Sequence, residues 1–352
     1  MTPFVFEPRL ERAATLPSRY YTDPLLLSAE TERIFARTWQ LVGHVGQVRE
    51  EGSYFTAVVG KEPIIVVRGS DGELAALSNV CRHRAGPVAR AVGRCRAFQC
   101  GYHGWTYALD GRLVGTPELD GIEQFDRAAF SLPRFRVATW LDLVFVNLDP
   151  VAPSLEEYLG DLTTRFDTRR FASAGLAHRK EWEIGCNWKV YVDNYLEGYH
   201  IPIVHPSLFR ELDYSRYRTE TSRFFSIQHA PIRRPERIRS EGNAEAEYFW
   251  LFPNLMINVY PDNFSTNLIL PRGQARTVTL FDWYFADPES EATKRRIEET
   301  VQFSDEIQIE DINICEAVQH GLEAPSYTSG RYAPARENGV HHFHALLTEF
   351  LA

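Results

Sequence analysis

Two short stretches carry one cysteine and one histidine each. "CRHRAG" holds Cys81 and His83, and "CGYHGW" holds Cys100 and His103. A third stretch, "DNYLEGYHIPIVH", holds Glu197, His200 and His205. Thiolates and imidazoles at such spacings are metal donors. Two cysteines and two histidines read first as zinc. A zinc finger, however, pairs Cys with Cys and His with His. Here each loop carries one of each, in C-x-H and C-x-x-H order, on two hairpin tips of a predicted β region. That arrangement suits a [2Fe–2S] cluster with two thiolates on one iron and two imidazoles on the other. Gly86 and Gly104 allow close backbone approach, Tyr102 and Trp105 are placed to shield the cluster, and Cys95 reads as a buried thiol outside both motifs.

His200 and His205 pose a separate problem. At helical spacing a five-residue step turns by about 140°, so the pair differs from H-E-x-x-H, where a four-residue step aligns both rings. Pro202 disfavours helix at Ile201. The expectation is that a helix carrying Glu197 and His200 ends there, and that the chain turns to bring His205 back. Two histidines from a bend need another ligand. A carboxylate would complete a 2-His-1-carboxylate set with open positions, which suits non-haem Fe(II). Asp305, Glu306, Glu310, Asp311 and Glu316 on a late helix are candidates, as are Asp193 and Glu197 nearby. Spacing does not choose among them.

The elements that must position these groups fall into three stretches. Residues 1–40 read as an N-terminal helical lead-in, with "DPLLLSAETERIFARTWQLVG" at helical spacing and Ser28 as its N-cap. Residues 41–150 read as a small all-β domain: "SYFTAVVG", "EPIIVVRGSDGELAALSNV", "TYALDGRLVG" and "DLVFVNLD" are strands, and Asp71-Gly72 and Asp110-Gly111 are hairpin turns. Pro150 and Pro153 mark a boundary. Residues 151–352 are mixed: "SLEEYLGDLTTRF" is helical, "AEYFWLFPNLMINVY", "FSTNLILP" and "RTVTLFDWYFA" are strands, and residues 291–322 form a long helix broken near Phe303–Asp305. The polar stretch 233–247 reads as a mobile loop.

Composition narrows the class. The chain has 352 residues, 44% hydrophobic and 24% charged, with a net charge of −9. That is a globular protein with a proper core, and the charge argues against nucleic acid or an anionic membrane surface as partner. The N-terminus has no signal-peptide pattern, and no apolar run approaches the roughly 18 residues of a span. A cytoplasmic setting follows as the expectation, with the five cysteines in metal or core roles.

The chain resembles the catalytic alpha subunit of a Rieske non-haem iron oxygenase. The likeness runs from the lead-in helix through the two Cys-His loops and "NWKVYVDNYLEGYHIPIVHP" to "DINICEAVQHGL". That family carries N-x-x-[DE]-x-x-H-x-x-x-x-H, and Asn194, Glu197, His200 and His205 match it in register. The resemblance implies Asp311, ahead of Cys315-Glu316, as the third iron ligand. It implies that Glu197 is the carboxylate bridging a Rieske histidine of one subunit to an iron-binding histidine of the next, around a head-to-tail homotrimer. Many members have Asp there; Glu occurs in members resembling choline, carnitine and betaine oxygenases. The implied fold is α+β, an N-terminal all-β Rieske [2Fe–2S] domain followed by a helix-grip (START-like) catalytic domain with an antiparallel sheet.

The implied activity is oxygenation of a small molecule with O₂ and electrons from an NADH-dependent reductase, with or without a ferredoxin. A small quaternary amine, hydroxylated or N-demethylated, is the favoured substrate, and an aromatic cage would hold it. An aromatic acid is the alternative and would want an Arg such as Arg272 or Arg210. A Rieske electron carrier fused to a non-catalytic ligand-binding domain is the other. Expected pocket residues are Phe249, Leu251, Met256, Asn258, Tyr260 and Phe281 from alternating strand positions. Asn187 and Trp188 read as structural, and Tyr195 and Tyr199 as packing or hydrogen-bonding neighbours of the ligands. His44, His178, His229 and His320 read as ordinary histidines, and His341, His342 and His344 as helix packing rather than a metal tract.

Overall fold

A computed structural model describes residues 4–166, 174–233 and 245–352. They form an α+β protein that divides into two compact units. One is Thr31–Tyr158; the other joins residues 4–30 to 159–352.

The first unit is built on strands β1 (Gln40–His44), β2 (Ser53–Val59), β3 (Glu62–Arg68), β4 (Leu74–Ser78), β5 (Val92–Arg94), β6 (Phe98–Gln99), β7 (Thr106–Tyr107), β8 (Leu113–Gly115), β9 (Arg134–Trp140) and β10 (Leu143–Asn147). Seven of them form one sheet in the order β1-β10-β9-β4-β3-β2-β5, and β6-β7-β8 form a second, smaller one. The β-branched run of β3 explains its central place: Ile64, Ile65, Val66 and Val67 are all fully buried. Alternate residues feed two cores. Ile64 and Val66 pack with Val144 and Val146, whereas Ile65 and Val67 join the cluster that backs Cys81, Cys100 and Trp105. The Asp-Gly turns form as expected, with Gly72 and Gly111 at φ 82° and 90°. Cys95 is half-buried at the surface of this core rather than a buried thiol, because "VGRCR" is a short edge strand and its continuation.

The second unit begins with helices α1 (Arg19–Thr22) and α2 (Pro24–Glu30). Asp23, not Ser28, starts α2: its carboxylate accepts from the Leu25 N–H at 2.9 Å, and Pro24 is the first helical residue. The predicted helix beyond it continues only as a wider π turn at Thr31–Phe35 and then gives way to β1. A short helix, α3 (Leu155–Leu159), and α4 (Leu162–Arg165) follow the β domain. The sheet of the second unit is antiparallel, in the order β11-β17-β16-β15-β14-β13-β12. Its strands are β11 (Ala174–Ile184), β12 (Arg218–Thr221), β13 (Phe225–Pro231), β14 (Glu245–Leu251), β15 (Leu255–Val259), β16 (Asn263–Gly273) and β17 (Arg276–Ala286). Of the predicted loop at 233–247, residues 234–244 lie outside the described residues, and Glu245–Glu247 already belong to β14.

Helices α5 (Trp188–Tyr195), α6 (Ile201–Val204), α7 (Pro206–Glu211), α8 (Glu291–Glu323) and α9 (Asn338–Leu351) complete the unit. α8 runs unbroken for 33 residues. At the expected break, Asp305 pairs with Lys180 of β11 at 2.7 Å, so the irregular apolar pattern reflects a polar packing face. Asn187 caps α5 through the Lys189 N–H. Glu30 of α2 accepts from Trp188 Nε1 at 2.7 Å and Lys189 Nζ at 2.5 Å, all three fully buried. This tie anchors the N-terminal segment to α5. No helix among the described residues is long and apolar enough to cross a membrane.

Candidate functional site

The two Cys-His loops are conformational twins. The Cys81 carbonyl accepts from Ala85 N–H, and its own N–H donates to the Gly86 carbonyl. The Cys100 carbonyl accepts from Gly104 N–H, and its N–H donates to the Trp105 carbonyl. The fourth residue after each cysteine has positive φ: Ala85 at 57° and Gly104 at 71°. Both thiols are buried, and both imidazoles are exposed. The His83 and His103 ring centres lie 4.5 Å apart, with Trp105 stacked on His83 at 5.0 Å and Tyr102 tilted against His103 at 3.8 Å. The Tyr107 hydroxyl reaches Cys81 Sγ at 3.3 Å. Gly86 is tight against the other thiol: a Cβ there would lie 3.2 Å from Cys100 Sγ. A donor set with two thiols inward and two imidazoles outward fits a [2Fe–2S] cluster with chemically distinct irons.

The second centre is assembled over longer range. α5 ends at Tyr195, before Glu197 and His200. His200 is the N-cap of α6, and Pro202 lies in that helix's first turn. The expectation that a helix ends at Ile201-Pro202 is therefore overturned: proline opens a helix there, because its missing N–H falls where no intrahelical partner exists. His205 closes α6 and precedes Pro206, which opens α7. Asp311 comes from the middle of α8. Ligand atoms of His200, His205 and Asp311 all lie within 4.8 Å of one another. Asp311 Oδ1 is 3.0 Å from His205 Nε2 and 3.9 Å from His200 Nε2.

Each ring is oriented from behind. Glu197 Oε1 meets His200 Nδ1 at 2.5 Å, and Glu310 Oε2 meets His205 Nδ1 at 2.7 Å. A carboxylate on Nδ1 fixes the tautomer and leaves Nε2 free to ligate. Asn194 Nδ2 donates to Asp311 Oδ1 at 2.6 Å. Glu197 also accepts from the Tyr199 and His200 backbone N–H groups. Burial opposes charge on His205, but Asp311 and Glu310 outweigh it and raise its pKa. Two histidines and one carboxylate, with both rings pre-oriented, fit a non-haem Fe(II). Asp305 is engaged by Lys180, Glu306 by Ser207 and Glu316 by the Gly185 N–H, so these alternatives point elsewhere. Asp193 accepts from Tyr21 and contacts His344.

A cavity of about 440 Å³ adjoins these three residues. Its sheet wall is polar and aromatic, with Asn258, Tyr260 and Phe281 among the lining residues. Phe249, Leu251 and Met256 do not line it. Phe249 and Leu251 point to the opposite face of β14, where Phe249 packs on Phe166. Met256 shares a face with Asn258 but lies opposite Trp250, whose ring is covered by Phe343 of α9. The sequence reading missed Tyr195, Tyr217 and Tyr248, which also line the cavity. Tyr248 was available from alternation, being opposite Asn258 in register. Burial pushes the pKa of all three and of Tyr260 upward, so these phenols are neutral. Arg210 and Arg272 are absent from the lining.

Residues 171–352 match the family described as ring hydroxylating alpha subunit (catalytic domain), and residues 38–126 match the Rieske [2Fe–2S] domain. The chain belongs to the Rieske non-haem iron oxygenases. It is 38% identical to the chloroplastic choline monooxygenase of Arabidopsis thaliana, over 97% of this chain and 84% of that one. It is 30% identical to the carnitine monooxygenase oxygenase subunit of Escherichia coli (strain K12), over 96% and 94%. The quaternary ammonium Rieske monooxygenase CntA in complex with L-carnitine superposes with a TM-score of 0.87 at 29% identity, covering both chains fully. Naphthalene 1,2-dioxygenase from Rhodococcus sp. shares the fold, with a TM-score of 0.80 at 22% identity over 96% of this chain and 94% of that one. Membership makes this chain an oxygenase with a Rieske cluster and a catalytic iron, and removes the reading of a non-catalytic electron carrier.

Proposed function

We propose that this Rieske oxygenase hydroxylates or N-demethylates a small quaternary amine, holding iron on His200, His205 and Asp311 and the cluster on Cys81, His83, Cys100 and His103. The observation that carries the reading is the cavity beside the three ligands, walled by Tyr195, Tyr217, Tyr248 and Tyr260. Neutral aromatic faces hold a quaternary ammonium, which cannot donate hydrogen bonds, by cation–π attraction. The likeness to choline and carnitine monooxygenases and to CntA supports the same class. An aromatic acid finds neither Arg210 nor Arg272 in the wall.

The bound metals supply electron storage and O₂ activation. The protein's own residues orient, screen and relay. Glu197 and Glu310 hold the two imidazoles by Nδ1, and Asn194 steadies Asp311. The aromatic wall excludes water and turns the substrate toward the ligands. Glu197 is the proposed bridge for electrons arriving from the cluster of a neighbouring subunit in a homotrimer, with His103 or His83 on the far side and His200 on the near side. Its contact with His200 is the half of that bridge formed within one chain. The electrons come from NADH through a separate reductase, with or without a ferredoxin, in the cytoplasm.

Turnover of choline, L-carnitine, glycine betaine and benzoate with NADH, O₂ and a surrogate reductase tests the reading. Product from at least one quaternary amine, with close to three irons per chain, is expected. Product from benzoate alone would discard it.

A further inference from the structure

One contact crosses between the two cluster loops and holds neither cysteine. The Arg84 guanidinium lies over the Tyr102 ring, 5.5 Å from its centre. Tyr102 is in turn tilted against His103, with ring centres 3.8 Å apart and planes at 36°. Arg84 follows His83 in the chain. A cation of the first loop is therefore clamped beside the imidazole of the second through one aromatic ring. Arg84, Tyr102 and both imidazoles are exposed. Cation–π attraction holds the guanidinium there without neutralising it.

The charge of this clamp is not offset by its own stretch of chain. From Cys81 to Gly104 there are five arginines, Arg82, Arg84, Arg90, Arg94 and Arg96, and no aspartate or glutamate, in a protein of net charge −9. Two arginines of the same unit are paired with carboxylates, Arg94 with Glu50 and Arg112 with Asp110. Arg84 meets a ring instead. Reducing a [2Fe–2S] cluster adds one electron and hence one negative charge. A cation fixed nearby favours the reduced form and raises the potential, which responds to local charge and to solvent exposure. A loose arginine on an exposed loop samples many positions, and its field is screened by salt. One held against a ring beside a proposed ligand keeps its charge at the cluster face.

We propose that Arg84, kept in place by Tyr102, raises the reduction potential of the Rieske cluster and so sets how readily this chain accepts electrons from its donor. Arg84 acts through its charge, and Tyr102 is the positioning residue that fixes where that charge sits. The inference rests on the reading that Cys81, His83, Cys100 and His103 hold the cluster.

Spectroelectrochemical titration of the holoenzyme at pH 7, following the visible bands of the cluster, tests this. Arg84→Gln keeps a planar polar side chain and removes the charge. It should shift the reduction equilibrium about threefold toward the oxidised form, close to 30 mV at about 59 mV per tenfold change. Arg84→Lys returns the charge and should recover most of that shift. Arg82→Gln removes the other arginine beside His83 and should move the equilibrium less than half as far. In a Tyr102→Leu background, Arg84→Gln should lose at least half of its effect. Salt at 1 M, where the screening length is about 3 Å, should shrink the difference between wild type and Arg84→Gln. An Arg84→Gln potential equal to that of the wild type overturns the inference, as does failure of Arg84→Lys to recover the shift. An equal shift from Arg82→Gln, or a full Arg84→Gln shift without Tyr102, overturns the positioning by the ring. Absence of the Rieske bands from the wild type itself would overturn the cluster reading instead.

Discussion

The cluster loops and the iron site solve the same problem, holding metal donors in place, by opposite routes. In the cluster loops each Cys is held by backbone hydrogen bonds to residues four and five positions on. The geometry is local and repeated twice. At the proposed iron site the donors come from a bend at 200–205 and from α8, with His205 and Asp311 separated by 106 positions. Side-chain carboxylates, rather than the local backbone, aim the rings, and an amide holds Asp311. A local loop is specified by its own residues. An assembled site depends on everything that docks its elements.

The largest separation of the two regions comes from removing Asp311. Asp311→Ala takes away the proposed iron donor on α8 and leaves His205 Nε2 without its partner. Iron affinity should fall by more than about 100-fold, turnover should vanish, and metal analysis should show one iron lost and two retained. A variant that kept all three irons would mean that another carboxylate ligates. Next is Lys189→Met, which strands the buried Glu30 carboxylate with only Trp188 Nε1 as partner. Breaking such a pair costs about 3–5 kcal/mol. Denaturation followed by tryptophan fluorescence should show the iron-bearing unit unfolding earlier, while the visible absorption of the cluster persists. Simultaneous loss of both signals would show that the units do not unfold separately.

A third effect is set by pH. Burial, with Arg223 and His341 nearby, lowers the His342 pKa from 6.5 to about 4. Its Nε2 is buried without a partner and its ring is edge-on to Trp250. The unfolded chain therefore binds more protons between those values. The associated stability is present above pH 6.5 and is lost as pH falls toward 4, on the order of 2 kcal/mol. Melting temperatures of the wild type should drop across that window, and His342→Leu should flatten the drop. An unchanged slope in the variant would assign the acid sensitivity to other groups.

What the sequence made legible follows the same divide. The all-β stretch, its Asp-Gly turns and the paired Cys-His loops were readable because strand alternation and turn chemistry are local. His200 and His205 stood out as candidate donors, but spacing could not single out Asp311, the acidic residue of the late helix that the fold brings beside them; the family likeness pointed to it. Pro202 misled because a proline that ends one helix and a proline that opens the next look alike in one dimension. α8 looked broken because its inner face is not apolar: Thr300, Phe303, Ser304, Ile307, Gln308 and Asp311 recur at helical spacing yet line a partly polar cavity. The pocket was half readable. Alternation identified Asn258, Tyr260 and Phe281, but it could not tell how far along β15 the cavity extends before Trp250, opposite Met256, packs against Phe343 of α9.

The smallest effect tests the local half of the comparison most directly. If the two loops are twins, Ala85 occupies the place that Gly104 occupies in its counterpart, with φ of 57° against 71°. A side chain in that left-handed region costs about 1–2 kcal/mol. Glycine gives back about 0.5–1 kcal/mol through the freedom of its unfolded chain. Ala85 is exposed, so removing its methyl group forfeits little packing. Ala85→Gly should therefore stabilise the cluster-bearing unit by about 0.5 kcal/mol. Gly104→Ala should do the reverse, since its methyl group would also meet Pro117 Cγ at 3.3 Å. Denaturant titrations that monitor loss of the cluster's visible bands would read both. Opposite signs in the two variants would establish that backbone conformation holds this site. Equal destabilisation would mean that Ala85 makes a contact its twin does not, and the loops would be alike in sequence pattern alone.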